Sequence, residues 1–138
     1  MPPSPDEDLR FAILRLSRRM RLERVDGDVP DTQLSVMFGI VNNEGLTIGA
    51  LSDLERVTPP SMNRTVNALV ERGLATRSGS PDDGRKVIIT ATDSGMQLVE
   101  ETRRKRVAWF SKQLSTVSAD ERAALDAASP ILRRLADS

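Results

Sequence analysis

The chain has 138 residues with no cysteine and no histidine, and its 20 basic side chains balance its 20 acidic ones. These counts exclude disulfides and thiolate zinc sites and remove the usual general base of enzymes, so we predict a non-enzymatic protein without a metal or another cofactor. Because the net charge is zero, binding of nucleic acid would require a local asymmetry of charge.

The beginning of the chain, "MPPSPDEDL", is acidic and rich in proline. It resembles neither a signal peptide nor a transit peptide, and no apolar run approaches the length of a membrane span. We therefore expect a soluble cytoplasmic protein with no membrane partner, whose residues 1–5 form a flexible tail.

An apolar stripe predicts a first helix from Asp6 to about Arg24. The stripe consists of Leu9, Ile13, Leu16 and Met20. A second helix is predicted from Thr32 to Asn43, and its expected inner face is Leu34, Met37, Phe38 and Val41. Thr47 then caps a short third helix, because a threonine side chain can accept a bond from an N–H group of the first turn.

The stretch "TPPSMNRTVNALVERG" begins with Thr58 as a candidate cap and Pro59 at the first helical position. Proline is tolerated there because an N–H group at that position would have no partner within the helix. A helix is therefore predicted that ends at Gly73. Its expected apolar side is Met62, Val66, Leu69, Val70 and Gly73. The opposite side is polar or small, with Pro60, Ser61, Arg64, Asn67 and Ala68, and with Asn63 at its edge.

This polar side has the chemistry of a DNA recognition helix. Arg64 can pair with guanine, Asn67 with adenine, and Ser61 with a phosphate, while Asn63 lies beside them. The polar groups are concentrated in the N-terminal half, where recognition helices contact bases. A solvated polar face is the alternative interpretation of the same pattern.

Two short strands are predicted next, in "LATRSGS" and "RKVIITA", joined by the turn "PDDG". This hairpin carries Arg85 and Lys86 beside its turn. An arginine on a narrow hairpin can enter the minor groove of DNA. Between Arg56 and Lys86 basic residues outnumber acidic ones, which supplies the required asymmetry of charge.

Thr92 and Asp93 are expected to cap a long helix that ends near Leu114, and Ser118 with Glu121 forms a capping-box pattern for a last helix that ends near Leu135. The basic run at 103–106 spreads around the helix, so we expect it to be a solvated face. Trp109 and Phe110 are expected in core or dimer packing, with a ligand-pocket wall as the alternative.

The segment from Thr58 to Gly95 resembles the winged helix of the MarR family of bacterial transcription regulators. The resemblance lies in Leu-x-x-x-Gly-Leu-x-x-Arg, in Asp-x-Arg of the wing and in Thr-x-x-Gly before a long helix. Here these residues are Leu69, Gly73, Leu74, Arg77, Asp83, Arg85, Thr92 and Gly95. One departure is Ala91, because the family usually has leucine before this threonine.

The resemblance implies a mostly α (α+β) fold, in which a winged helix-turn-helix at 46–92 is flanked by helical dimerisation regions at 6–45 and 93–138. It implies a homodimer that binds a palindromic operator in double-stranded DNA as a regulator, expected to be a repressor. It also implies, for many members, release of DNA when a small aromatic or phenolic ligand binds.

The resemblance also implies roles for the residues of the wing. Arg85 is expected to enter the minor groove, and Asp83 to orient it. Arg77 belongs to the DNA-binding set, with an ion pair that braces the wing as its main expected role. The competing function is a winged-helix module that binds proteins without specific binding of DNA, and the zero net charge motivates that alternative.

Overall fold

The computed structural model describes residues 1–25, 27–79, 82 and 84–138. Within these residues, four helices precede a two-stranded sheet and two helices follow it. This is the predicted order, so the predicted fold class is confirmed. The elements are α1 Pro5–Leu22, α2 Asp31–Asn42, α3 Ile48–Glu55, α4 Pro59–Glu71, β1 Ala75–Gly79, β2 Val87–Ala91, α5 Asp93–Leu114 and α6 Ala119–Ala136.

Hydroxyl side chains cap most of these helices, because the first N–H groups of a helix have no partner within it. Thr58, Thr92 and Ser118 cap α4, α5 and α6 as predicted, and Ser118 forms the predicted capping box with Glu121. Helix α1 begins at Pro5, one residue before the predicted start, because Ser4 forms a second capping box that the sequence interpretation missed.

Helix α2 lies at the centre of the molecule and contacts α3, α4, α5 and β2. The predicted inner face was partly wrong: Leu34 and Met37 are buried, but Phe38 and Val41 are only half-buried, and Val36 and Ile40 are buried as well. A helix that is surrounded by other elements buries side chains around its circumference, so one stripe does not describe it.

The two strands of the wing form an antiparallel pair in which Ala75 is opposite Ala91 and Gly79 is opposite Val87. Leu46, just before α3, adds an isolated bridge to Ile89 of β2, with N···O distances of 3.1 and 2.8 Å. This bridge joins the wing to the start of the helix-turn-helix. Ala91 lines a small cavity of about 250 Å³, at the position where the resemblance suggested a leucine.

The side of α4 that faces the core follows the predicted pattern with one exception. Met62, Val66 and Leu69 are buried, and Val70 is half-buried. Gly73 is exposed instead, because the helix ends at Glu71 and Gly73 follows with a φ of +74°. Glycine tolerates this left-handed conformation, so Gly73 has the role of a helix-ending residue.

Candidate nucleic-acid interface

The N-terminus of α4 is exposed beside a row of polar side chains. Thr58 Oγ1 accepts a hydrogen bond from the backbone N–H of Ser61 at 3.3 Å. Ser61 itself is half-buried, whereas Asn63, Arg64 and Asn67 are exposed. The structure thus places the four side chains predicted for the major groove on one helix, all four outside the core.

These side chains differ in how far neighbours already restrain them. Asn63 Nδ2 donates to the carbonyl oxygen of Pro59 at 3.2 Å, one helical turn earlier. Arg64 has no hydrogen-bond or ion-pair partner among the residues that the structure describes. An arginine that is exposed in this way can donate two hydrogen bonds to O6 and N7 of a guanine.

Arg77 of β1 contacts α4, the helix predicted to recognise DNA, directly. Its Nη2 donates to Oδ1 of Asn67 at 2.6 Å. We expected an ion pair within the wing, but within the described parts of the chain Arg77 makes this hydrogen bond to a neutral amide and no ion pair. No local pattern in the sequence indicated the contact, because its partners lie on different elements.

The wing places its basic side chains at the end of the hairpin. Arg85 and Lys86 are exposed immediately before β2. Asp83, predicted to orient Arg85, lies outside the described residues, so its role stays a prediction. The wing and α4 are held together by Thr92, whose Oγ1 donates to the carbonyl oxygen of Gly73 at 2.6 Å.

Arg72 is one of the basic residues between Arg56 and Lys86, but its guanidinium pairs with a residue outside the winged helix. Its Nη1 lies 2.9 Å from Oδ1 of Asp28, in the loop between α1 and α2. The hydrogen bond from Arg72 holds the pKa of the Asp28 carboxyl below its usual value. Arg64, Arg77 and the wing thus supply exposed positive charge at α4 and beside it, whereas the charge of Arg72 is paired with Asp28.

The basic run on α5 is only partly solvated, which corrects the prediction. Arg106 is half-buried, and its Nε donates to the carbonyl oxygen of Glu23 at 3.2 Å. The guanidinium groups of Arg103 and Arg106 lie 5.9 and 5.2 Å from the centre of the Phe38 ring. Burial lowers the pKa of Arg106, although an arginine remains charged in proteins.

A cavity of about 400 Å³ lies beside this cluster, between α1, α2, α3 and α5. Its lining combines positive, negative and aromatic groups. The lining residues are Arg21, Asp31, Thr32, Ser35, Phe38, Glu55 and Arg106. Trp109 and Phe110 stack with their centroids 6.5 Å apart and are not among these residues. The aromatic group of the cavity is thus Phe38, which the sequence interpretation assigned to the core.

A helix-turn-helix followed directly by a two-stranded wing defines the class of winged helix-turn-helix DNA-binding proteins. The model of the MarR family matches residues 27–86. An HTH-type transcriptional regulator of Mycobacterium tuberculosis is 38% identical over 130 residues, which cover 94% of this chain and 91% of the relative.

Solved structures agree with this assignment at the level of the fold. A MarR family protein from Bacillus stearothermophilus has a TM-score of 0.84 at 20% identity, over 96% of this chain and 93% of that one. The PcaV transcriptional regulator of Streptomyces coelicolor has a TM-score of 0.68 at 20% identity, over 100% of this chain and 99% of that one. The chain belongs to the MarR family of transcriptional regulators, as the sequence resemblance predicted.

Proposed function

We propose that this protein is a homodimeric repressor that binds a palindromic operator and releases it when a small aromatic or phenolic ligand binds. The observation that carries the proposal is the pairing of an exposed polar helix with an exposed basic wing. Arg64 and Asn67 would contact base edges in the major groove, and Arg85 would enter the adjacent minor groove. We also propose that the protein acts in the cytoplasm, where the DNA is, and that it uses no cofactor besides this ligand.

The apolar surface of the terminal helices supports a dimer. Helices α1 and α6, all of whose residues the structure describes, contain no buried residue. Large apolar side chains are nevertheless exposed on both helices. They are Leu9, Phe11, Ile13, Leu14, Leu16 and Leu22 on α1, and Leu125, Ile131, Leu132 and Leu135 on α6. Exposed apolar surface of this extent indicates a protein interface, and a second copy would cover it with a symmetric match.

A dimer with two recognition helices about 34 Å apart would place them in successive major grooves of B-form DNA. The operator would then be a palindrome whose half-sites are one helical turn apart. No helix of the described chain has the length and apolar character needed to cross a membrane.

Replacement of both Arg64 and Arg85 by alanine tests the DNA interface. We expect operator affinity to fall by at least about 100-fold, because Arg64→Ala removes a base contact worth about 1–3 kcal/mol and Arg85→Ala removes a cation from the minor groove. The operator is first selected from randomised duplexes, and affinity is then measured by fluorescence anisotropy at several salt concentrations.

The matched control is Arg104→Ala with Lys105→Ala, which removes two positive charges from exposed positions on α5. This control should retain nearly full affinity. The second candidate function, a protein-interaction module, is favoured by the zero net charge. In the contrary outcome, the double variant Arg64→Ala with Arg85→Ala stays folded and binds both specific and scrambled duplexes with the affinity of the parent protein. That result would support the module and contradict the repressor.

The 400 Å³ cavity supports control by a ligand, because Phe38 can pack against a ring while Arg106 pairs with an acidic group. PcaV, which has the same fold, was solved in complex with its natural ligand. With 4-hydroxybenzoate as the probe, we expect operator affinity to fall by about 5- to 150-fold, the usual range of coupling between sites.

Arg106→Met should abolish most of that effect of 4-hydroxybenzoate, while Arg104→Met, on the exposed side of α5, should preserve it. Calorimetry gives binding of the probe, and anisotropy gives its effect on the operator. If the probe acted equally on the parent protein and on Arg106→Met, the cavity would not be the effector site.

A further inference from the structure

The contact between Arg77 and Asn67 determines the direction of an amide on the recognition helix. The Nη2 of Arg77 lies 2.6 Å from the Asn67 side chain. An arginine side chain has five donors and no acceptor, so the atom that faces it has to be the oxygen of the amide. This chemical argument fixes the orientation of the Asn67 amide, with Oδ1 toward Arg77.

The orientation limits which base Asn67 can recognise. Pairing with adenine in the major groove uses both ends of the amide: Oδ1 accepts from N6, and Nδ2 donates to N7. In this structure one of the two lone pairs of Oδ1 already accepts a charge-assisted hydrogen bond, which is stronger than a neutral one, so one lone pair remains for N6. The guanidinium also places its own positive N–H groups beside the oxygen, where the amino group of adenine would have to approach.

The Nδ2 of Asn67 is the end of the amide that Arg77 does not hold. The acceptors in the major groove are N7 and O6 of guanine, O4 of thymine and N7 of adenine, and only the adenine acceptor has an amino donor, N6, beside it on the same base. A positive charge on the neighbouring Arg77 favours these electronegative edges and disfavours the amino groups of adenine and cytosine. Charge and hydrogen bonding therefore favour the same bases.

We propose that Arg77 is a specificity-determining positioning residue, which directs Asn67 to guanine or thymine and against adenine. The proposal rests on the proposed function, because it requires that α4 bind DNA in a sequence-specific way. In this proposal Arg77 acts through Asn67. A contact with guanine or thymine takes the place of the adenine contact that the residue type of Asn67 alone would predict.

Arg77 belongs to β1 and is opposite Ile89 of β2, so it could also serve as a brace of the wing. The two roles predict different results. Loss of a brace weakens binding to every sequence by a similar factor, whereas loss of a positioning residue changes the order of preference among bases at one position.

The experiment compares the parent protein with Asn67→Ala, Arg77→Met and the double variant. Arg77→Met keeps an apolar stem of similar length and removes the guanidinium. The base pair that Asn67 contacts is identified as the position whose preference disappears in Asn67→Ala. Affinity is then measured for duplexes that carry each of the four base pairs at that position.

For the parent protein we expect guanine or thymine to be preferred over adenine by about 5- to 150-fold, the size of one good base contact. Arg77→Met should shift the preference toward adenine, because the guanidinium no longer occupies Oδ1 or repels the amino group of adenine. Arg77→Lys, which can donate one hydrogen bond to Oδ1, should retain the parental preference. In the Asn67→Ala background, Arg77→Met should change no preference.

Thermal unfolding and sedimentation of each variant verify that the fold and the dimer are intact. A parental preference for adenine at this position would overturn the inference, and so would an equal loss on all four duplexes in Arg77→Met or the absence of any position affected by Asn67→Ala. If the parent protein discriminated between no duplexes at all, the proposed function would fail and the inference with it. Arg64→Ala separates these cases, because it should weaken specific binding whether or not Arg77 directs Asn67.

Discussion

Gly95→Ala is expected to lower the free energy of unfolding by about 3 kcal/mol, at the upper end of what overpacking of a core costs. A Cβ atom at this position would lie 2.1 Å from the carbonyl oxygen of Leu74 and 2.6 Å from Cε of Met37. Because the first of these atoms belongs to the backbone, no side-chain rotation can relieve the clash. The N-terminus of α5 would have to move away from Leu74, the residue before β1.

That movement would also disturb the hydrogen bond from the N–H of Thr92 to the same Leu74 oxygen, which is 3.1 Å long. The wing and the recognition helix meet at this point, so we expect operator binding to weaken together with stability. Unfolding is followed by circular dichroism during heating, at one fixed protein concentration because a dimer gains stability with concentration. A fall of roughly 10 °C in Tm corresponds to the expected loss.

Gly49→Ala is the matched control, because Gly49 also lies in the first turn of a helix. A Cβ atom there would meet only Thr47 Oγ1, at 3.9 Å. Alanine forms helix better than glycine, so this variant should be unchanged or up to about 1 kcal/mol more stable. Equal stability of Gly95→Ala and the parent protein would mean that α5 does not approach Leu74 this closely.

Leu132→Asp is expected to dissociate the proposed dimer and to lower operator affinity by about 100-fold or more. Leu132 is 40% exposed in the single chain, on the apolar side of α6. A two-fold axis would bury two of these leucines, so the substitution would bury two carboxylates without partners. A monomer also loses the gain from binding two half-sites with one molecule, which commonly amounts to about 10²–10⁴ in affinity.

Ala123→Asp adds the same charge at an exposed position of α6 nine residues before Leu132, which places it about 180° away around the helix. This control should remain a dimer with parental affinity for the operator. Sedimentation equilibrium gives the mass of both variants. A Leu132→Asp protein that stayed dimeric and bound the operator normally would contradict the proposed role of α6.

The positions of the helices and strands could be predicted because they depend on short stretches of chain. Thr58, Thr92 and Ser118 each cap the helix that follows, and every one of these bonds joins residues three apart. The family pattern added the role of the hairpin as a wing. It also singled out Gly95, although only the close approach of α5 to the backbone of Leu74 explains why a glycine is needed there.

The partners of the charged side chains could not be predicted in the same way. Arg72 pairs with Asp28, which is 44 residues away, and Arg106 reaches Glu23 across 83 residues. Such contacts depend on how elements pack, and residue type gives no information about them. For the same reason the sequence indicated a recognition helix that carries Asn67, but it did not indicate that Arg77 orients the amide of Asn67.

The amino-acid sequence by itself determined the order of the elements, their caps, the family and the polar face of α4, since each depends on neighbours along the chain or on a characteristic spacing of residue types. The tertiary structure decided that Arg77 contacts Asn67, that Arg72 faces away from the recognition helix, and that α1 and α6 have exposed apolar sides. These features arise because folding brings distant side chains within hydrogen-bonding distance, and because one chain does not have enough surface to cover both terminal helices.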